Sequence, residues 1–389
     1  MRAKTLQIIW HDKLPIFSVD FDPIRNRFAT CGGDHNARIW SLKDGNVEYL
    51  STLSRHSAAV NCVRWSPNGQ YIATGGDDGS ILLWEQTDKK QQSLDDDEFE
   101  NLEHWRTAII LRGTTSDLYD LAWSPNGTMI ASAGIDSSIR VFDIKEQKCV
   151  HVLTEHQHFV QGVAWDPLFQ YIASQSSDRA LHVYKYEEKQ KNSPKLLEEK
   201  TRMYMDEDLN SFFRRLAFSP DGQLLISTGG THNQAMTAYV FTRPFNNPCA
   251  HLSNHQKAVI AVKFNPLKYK LRSKEKSFAS TDYRYIYALA THDSVAIYDT
   301  EDMAPIAFFG KFHYASLTDI SWSYDGQYLM ISSIDGFCSM IEFPDNELGE
   351  IIVEEKIVEQ VQVVAKPAKP ETPKAAADGK KRITPILIR

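Results

Sequence analysis

The chain has 389 residues, 24% of them charged and 42% hydrophobic, which is the make-up of an ordinary water-exposed globular protein. Its net charge of −7 is unevenly spread: residues 365–389 carry seven Lys or Arg against Glu371 and Asp378, or +5, which leaves −12 on the rest. An acidic body excludes a broad basic face for reading nucleic acid, and the sequence holds neither a signal-peptide pattern nor an apolar run of about 18 residues that would span a membrane. Cys31, Cys62, Cys149, Cys249 and Cys338 are odd in number and far apart. With no pair at metal-ligand spacing, they read as reduced core residues of a cytosolic or nuclear protein.

The first predicted element is a lone strand, KTLQIIW. After it the chain repeats. Seven segments share an aromatic followed by a tight turn: VDFDPIRNR, VRWSPNGQY, LAWSPNGTM, VAWDPLFQY, LAFSPDGQL, VKFNPLKYK and ISWSYDGQY. Their aromatics are Phe21, Trp65, Trp123, Trp165, Phe218, Phe264 and Trp322, spaced by 44, 58, 42, 53, 46 and 58 residues. After each turn come small residues, an Asp-containing turn and an alternating strand ending in an aromatic, as in FATCGGDHNARIW and IATGGDDGSILLW. This pattern predicts four short strands per repeat. A period of about 40–45 residues, stretched by insertions, is the WD40 signature. The predicted fold is all-β: a seven-bladed WD40 propeller over residues 1–349, with the opening strand completing the last blade and removing two free edges.

Three inserts stretch the period and are expected to be loops. Residues 85–107 include LDDDEFENLEHW, with six acids between Asp95 and Glu103; residues 185–211 are of mixed charge; residues 268–284 are basic. Asp95, Asp96, Asp97 and Glu98 form a candidate acidic contact loop for a basic partner, although such runs are more often merely solvated. Beyond the body, 350–364 alternates apolar and charged residues as a short strand or helix would. The Pro, Ala and Lys that follow have no means of packing, so 350–379 reads as a flexible linker within a disordered tail.

Histidines and aspartates recur at fixed offsets. His11, His56, His156, His255 and His313 precede their aromatics by 9 or 10 residues, and Asp34, Asp78, Asp136 and Asp178 precede a strand-end aromatic by six. His, Asp and Ser/Thr together resemble a hydrolytic triad, but a ring does not carry several copies of one active site. The repetition instead predicts structural hydrogen-bonded sets: His11, Thr30, Asp34 and Trp40; His56, Thr74, Asp78 and Trp84; and His156, Ser174 and Asp178. Gly113 and Tyr184 mark losses from the set in repeats 3 and 4, and repeat 5 keeps little of it. No phosphate loop, metal-ligand pairing or nucleophile elbow is present, so no cofactor, no metal and no enzyme activity are expected.

The terminal segment KKRITPILIR places apolar residues at the end of a polar tail, where nothing local buries them. Lys380, Lys381, Arg382, Ile383, Thr384, Pro385, Ile386 and Leu387 are the candidate partner-binding residues. The expected mode is strand addition to an exposed sheet edge, with Arg382 pairing a carboxylate. A weak nuclear-import signal and docking on the propeller itself are the competing readings.

The propeller resembles the middle, WD40 subunit of chromatin assembly factor 1. The stretches that carry the likeness are IIWHDKLPIFSVDF, HFVQGVAWDPLFQYIASQSSDRALHVY, RMYMDEDLNSFFRRLAFSPDGQLL and LTDISWSYDGQYLMISSIDGFCS. The WD40 subunit of the histone-regulatory (HIR) complex shares much of this, and GKKRITPILI resembles the B-domain motif of both families. The resemblance implies a nuclear, non-catalytic histone chaperone subunit for replication-coupled nucleosome assembly. The implied partners are the large subunit of the factor, its small histone-binding WD40 subunit, the anti-silencing function histone chaperone and, through that chaperone, H3–H4 histones. It implies no membrane and no direct sequence-specific nucleic-acid binding. The alternatives are a subunit of a replication-independent HIR-type complex and a general WD40 adaptor.

Overall fold

A computed structural model describes residues 1–88, 100–187, 193–200, 203–205, 211–273 and 281–352. Among them every regular element is a strand, and the strands form seven four-stranded antiparallel sheets. Blade 1 is Ile16–Phe21, Arg27–Gly32, Asn36–Lys43 and Asn46–Ser54; blade 2 is Val60–Trp65, Tyr71–Gly76, Ser80–Gln86 and Trp105–Arg112. Blade 3 is Leu118–Trp123, Met129–Gly134, Ile139–Asp143 and Lys148–Leu153; blade 4 is Val160–Trp165, Tyr171–Ser176, Leu181–Lys185 and Lys195–Lys200. Blade 5 is Ala217–Phe218, Leu224–His232, Ala235–Thr242 and Pro248–His255; blade 6 is Val259–Lys270, Tyr283–Thr291, Ser294–Asp299 and Ala307–Gly310. Blade 7 is Leu317–Trp322, Tyr328–Ser333 and Cys338–Glu342, completed by Arg2–Thr5. In each blade the strands are a to d from the centre outward, and neighbouring a strands touch around the ring. The molecule is a seven-bladed β-propeller whose compact unit is Met1–Ile352.

The repeat sequence accounts for the local geometry. In the SPNG, SPDG and SYDG turns, Gly69, Gly127, Gly222 and Gly326 have φ of 65° to 69°, a conformation that favours glycine. The preceding serine closes the turn: Ser66, Ser124, Ser219 and Ser323 Oγ each accept from the amide five residues on, at 2.8 to 2.9 Å. Small residues in the b strands let the sheets approach. Each interface between neighbouring blades is then filled by its own apolar cluster, so the core is a ring of seven wedges.

Blade 7 closes the circle through the antiparallel pairs Arg2↔Glu342 to Thr5↔Ser339. The strand is shorter than the expected KTLQIIW. Cys338 opens its partner strand, just past the Gly336 turn, so the ladder has no rung beyond Leu6 N to Cys338 O at 3.0 Å. Trp10 instead leaves the sheet, fully buried between blades 7 and 1, with its ring 4.7 Å from that of Trp40.

The inserts differ from expectation at their edges. Lys195–Lys200 is strand d of blade 4, and Lys268–Lys270 prolongs strand a of blade 6 to pair with Tyr283–Tyr285. Ile351 bridges Tyr269 on the other side of that extension. All five cysteines are free, but only Cys31, Cys62 and Cys338 are core residues; Cys149 is half-buried and Cys249 exposed, because each lies on an outer d strand.

Candidate functional site

The repeated polar sets sit where each d-to-a loop meets the next blade. In blade 1, His11 Nδ1 is 2.7 Å from Asp34 Oδ1, His11 Nε2 is 2.9 Å from Thr30 Oγ1, and Trp40 Nε1 donates to Thr30 Oγ1 at 2.8 Å. Blade 2 repeats this with His56, Asp78, Thr74 and Trp84 at 2.9, 2.8 and 2.9 Å. Burial alone would raise the Asp78 carboxyl, but His56 and the Ser80 and Ser57 amides outweigh it and bring it down to about 2. Burial lowers His11 in spite of Asp34. Each hydroxyl is engaged by ring nitrogens and each carboxylate also holds backbone amides, so the set pins loop to strand.

The variants follow from the residues that replace the set. In blade 4, His156 contacts Asp178 and Ser174 at 2.8 Å each, and the place of a tryptophan is taken by Tyr184. His182 fills the space, stacked on His156 at 3.9 Å between ring centres. Burial and the neighbouring His156 lower His182 to about 4. In blade 3 a Cβ on Gly113 would lie 2.8 Å from the Phe142 ring, and Arg140 takes the role of the histidine on Asp136 at 2.6 Å. In blade 7, His313 reaches Asp335 at 3.0 Å, while its Nε2 has no hydrogen-bond partner among the described residues because Ile331 and Ile341 stand where a hydroxyl and an indole would. His255, the last residue of strand d of blade 5, lies with Nε2 3.5 Å from Tyr298 Oη.

A second polar cluster, which motif reading missed, lines the channel. Along the a strands, residues one and three before the marker aromatic face the centre. Here Asp20, Arg64, Asp120, Arg215, Lys263 and Asp319 form one network. Arg64 bonds Asp319 at 2.8 Å and Asp120 at 2.9 Å, Lys263 bonds Asp20 at 2.9 Å, and Ser18 donates to Asp319 at 2.7 Å. Arg215 also pairs with Asp319 and donates to Asn61 O at 3.0 Å, so it crosses the channel from blade 5. Burial would raise Asp319, but Arg215, Arg64 and Lys263 bring it to about 2. The signal available in sequence was a charge beside an aromatic in a strand otherwise apolar, as in VRW and VKF.

One end of the channel is closed by SFFRR, residues 211–215. Arg214 N donates to Gln161 O at 3.0 Å and Arg215 N to Ile260 O at 2.8 Å, which wedges the segment between blades 4 and 6. Gly162 permits this approach, since a Cβ there would lie 1.9 Å from Arg214 O. Arg215 stacks over Phe213 at 4.2 Å, Phe17 lies 6.2 Å from Phe213, and Phe212, beside Tyr119 at 6.4 Å, is 58% exposed. Beyond the plug the channel is a cavity of about 360 Å³.

Asp95, Asp96, Asp97 and Glu98 lie outside the described residues, as do Lys380 to Leu387 of the terminal motif. The flank of the acidic insert is described and is anchored. Asn101 Oδ1 accepts from Tyr49 Oη at 2.6 Å and Thr52 N at 3.0 Å. Glu103 pairs with buried Arg27 at 2.9 Å, and that guanidinium lies 4.7 and 5.2 Å from the Trp65 and Trp105 rings. One of the six acids is thereby committed to the blade interface. At the other end of the body, Arg284 bonds Leu348 O and Asp299, fixing the chain up to Ile352. Among the described residues no three His, Cys, Asp or Glu side chains come together as a metal site would require.

Residues 1–348 match the model of the CAF1B/HIR1 beta-propeller domain. The chromatin assembly factor 1 subunit of this kind from Mus musculus is 38% identical over 424 residues, covering 98% of this chain and 74% of the relative. Its namesake from Saccharomyces cerevisiae is 35% identical over 402 residues, 88% of this chain and 86% of the relative. Protein HIR1 of Kluyveromyces lactis is 29% identical over 388 residues, but only 45% of that longer relative is covered. The fold and the residues it spans agree with these matches, and the chain belongs to the CAF1B/HIR1 β-propeller family.

Proposed function

We propose that this chain is the non-catalytic WD40 subunit of a chromatin assembly factor 1-type histone chaperone, working in the nucleus in replication-coupled nucleosome assembly. The propeller is the rigid body that holds the large subunit, in a complex that also contains a small histone-binding WD40 subunit. The terminal motif recruits the anti-silencing function chaperone with its H3–H4 cargo. One observation carries this reading: relatives named for chromatin assembly factor 1, at 35% and 38% identity, are matched over 86% and 74% of their own length, against 29% and 45% for the HIR1 relative. The physical character of the body agrees with it. The repeated His, Asp and hydroxyl groups are engaged within the blades, and the chemistry left on the surface is that of loops and edges, which suits binding. Residues 1–349 act as the propeller, 350–379 as a tether and 380–389 as the peptide that adds a strand to its partner.

Affinity purification of the chain from nuclear extract, with mass spectrometry of stable partners, tests the assignment. Recovery of a large charged subunit together with a second WD40 protein is the expected result. Recovery of HIR-type subunits instead would move the chain to the replication-independent complex, a reading the shared family model favours as the second. Arg382→Ala and Ile383→Ala should each weaken capture of the anti-silencing chaperone by about tenfold with the melting temperature unchanged. Unaltered capture by both variants sinks the motif.

A further inference from the structure

Blade 2 carries a groove of about 410 Å³, between the loops that enter and leave it, with a composition unlike the acidic body around it. Arg55 and Arg112 both line it. They are repeat equivalents, each standing one residue before the histidine position of its loop, where the next blade has Glu155 instead. Both are exposed, and neither guanidinium has an ion pair or hydrogen bond to any described residue, although the Arg112 backbone pairs with Ser80 in the sheet. Arg27, Arg38, Arg64, Arg140, Arg215, Arg243 and Arg284, by contrast, are each paired with a carboxylate. Exposed Ser57 and Thr115 add hydroxyl donors, and Leu82 with Ile110 makes an apolar floor. Asp78 also borders the groove, but its oxygens are occupied by His56, Ser57 N and Ser80 N.

We infer that this groove binds a phosphorylated serine or threonine within an extended segment of a partner protein. Two guanidiniums without a carboxylate partner among the described residues match a doubly charged group better than a single carboxylate. The phosphate's three terminal oxygens also offer the guanidiniums and hydroxyls one acceptor atom more than the two of a carboxylate. The volume is that of a site taking a side chain with its neighbours rather than a bare ion. The apolar floor between the charged residues offers a seat for an aliphatic residue next to the phosphate. The groove lies in the described body, so it is independent of the terminal motif, and it holds whichever complex the chain serves.

The test is retention of the purified full chain on bead-bound degenerate peptides with a central phosphoserine, compared with matched libraries carrying serine or glutamate. Retention on phosphoserine should exceed that on the other two by at least tenfold and fall by about tenfold in Arg55→Ala and in Arg112→Ala. Arg106→Ala, an exposed arginine of the same strand that pairs with Glu85, should retain like the parent chain. Equal retention on glutamate, retention that both groove variants leave untouched, or no retention on phosphoserine would each overturn the proposal. Melting curves of the variants, expected to overlay the parent, separate lost binding from lost folding.

Discussion

His182 shows how one side chain can replace part of a network. Its ring occupies the space beside His156 and Tyr184 in the blade whose strand-c tryptophan position is held by Tyr184, and its Nδ1 lies 3.1 Å from Tyr184 Oη. Burial and His156 hold its pKa near 4, below the usual histidine value, so the folded state resists protonation that the unfolded chain accepts. The contribution is fully present above about pH 6.5 and is lost as pH falls from there toward 4, at up to about 1.4 kcal/mol per pH unit. His255, brought to about 4 by burial, acts in the same window and direction. The urea midpoint should therefore fall between pH 7 and 4, and His182→Phe should make that fall shallower. Asp78, Asp178 and Asp319, all near 2, add a separate loss that begins only below about pH 4. A midpoint flat down to pH 4.5 would contradict the histidine account.

At the scale of the element, the SFFRR plug has no counterpart in the other a strands. Its seat depends on Gly162, where any side chain would collide with the Arg214 carbonyl, so neither backbone has room to yield cheaply. Gly162→Ala should destabilise the propeller by about 2–3 kcal/mol and make Arg214 and Arg215 amides exchange faster by hydrogen–deuterium measurement. Unchanged protection there would show the approach to be loose. Turns and blades were legible in the sequence because SPNG, the marker aromatics and the His–Asp offsets are local patterns set by chain geometry. The plug was not, because period-two alternation says which residues face the channel but not that Arg215 reaches across it to Asp319. The inserts read as loops for a related reason. KLLEEK, residues 195–200, has two adjacent leucines among charges, with neither the alternation nor the apolar content that announces a strand, and it forms one by pairing with the outer edge of Leu181–Lys185.

The whole molecule depends on one seam. The Arg2–Thr5 strand covers the outer edge of Cys338–Glu342, and Trp10 fills the wedge between blades 7 and 1. Deleting residues 2–10 should expose that edge and empty the wedge. The expected outcome is a melting temperature lower by 10 °C or more, by an order-of-magnitude estimate from loss of a buried tryptophan, with aggregation seen by light scattering. A deleted chain that stays monomeric and melts with the parent would mean that the ring is held by its other six interfaces alone. The proposed groove on blade 2 sits apart from this seam.

The seam also sets a schedule. Thr5 and Ser339 hydrogen-bond across 334 residues of sequence, and at ribosomal rates of roughly 5–20 residues per second the second partner emerges roughly 15–70 s after the first. Throughout that interval the opening strand has no mate, while blades 1 to 6 have already acquired theirs. The wait is a window for nascent-chain chaperones, and the circle becomes a circle only when translation of this stretch is nearly over.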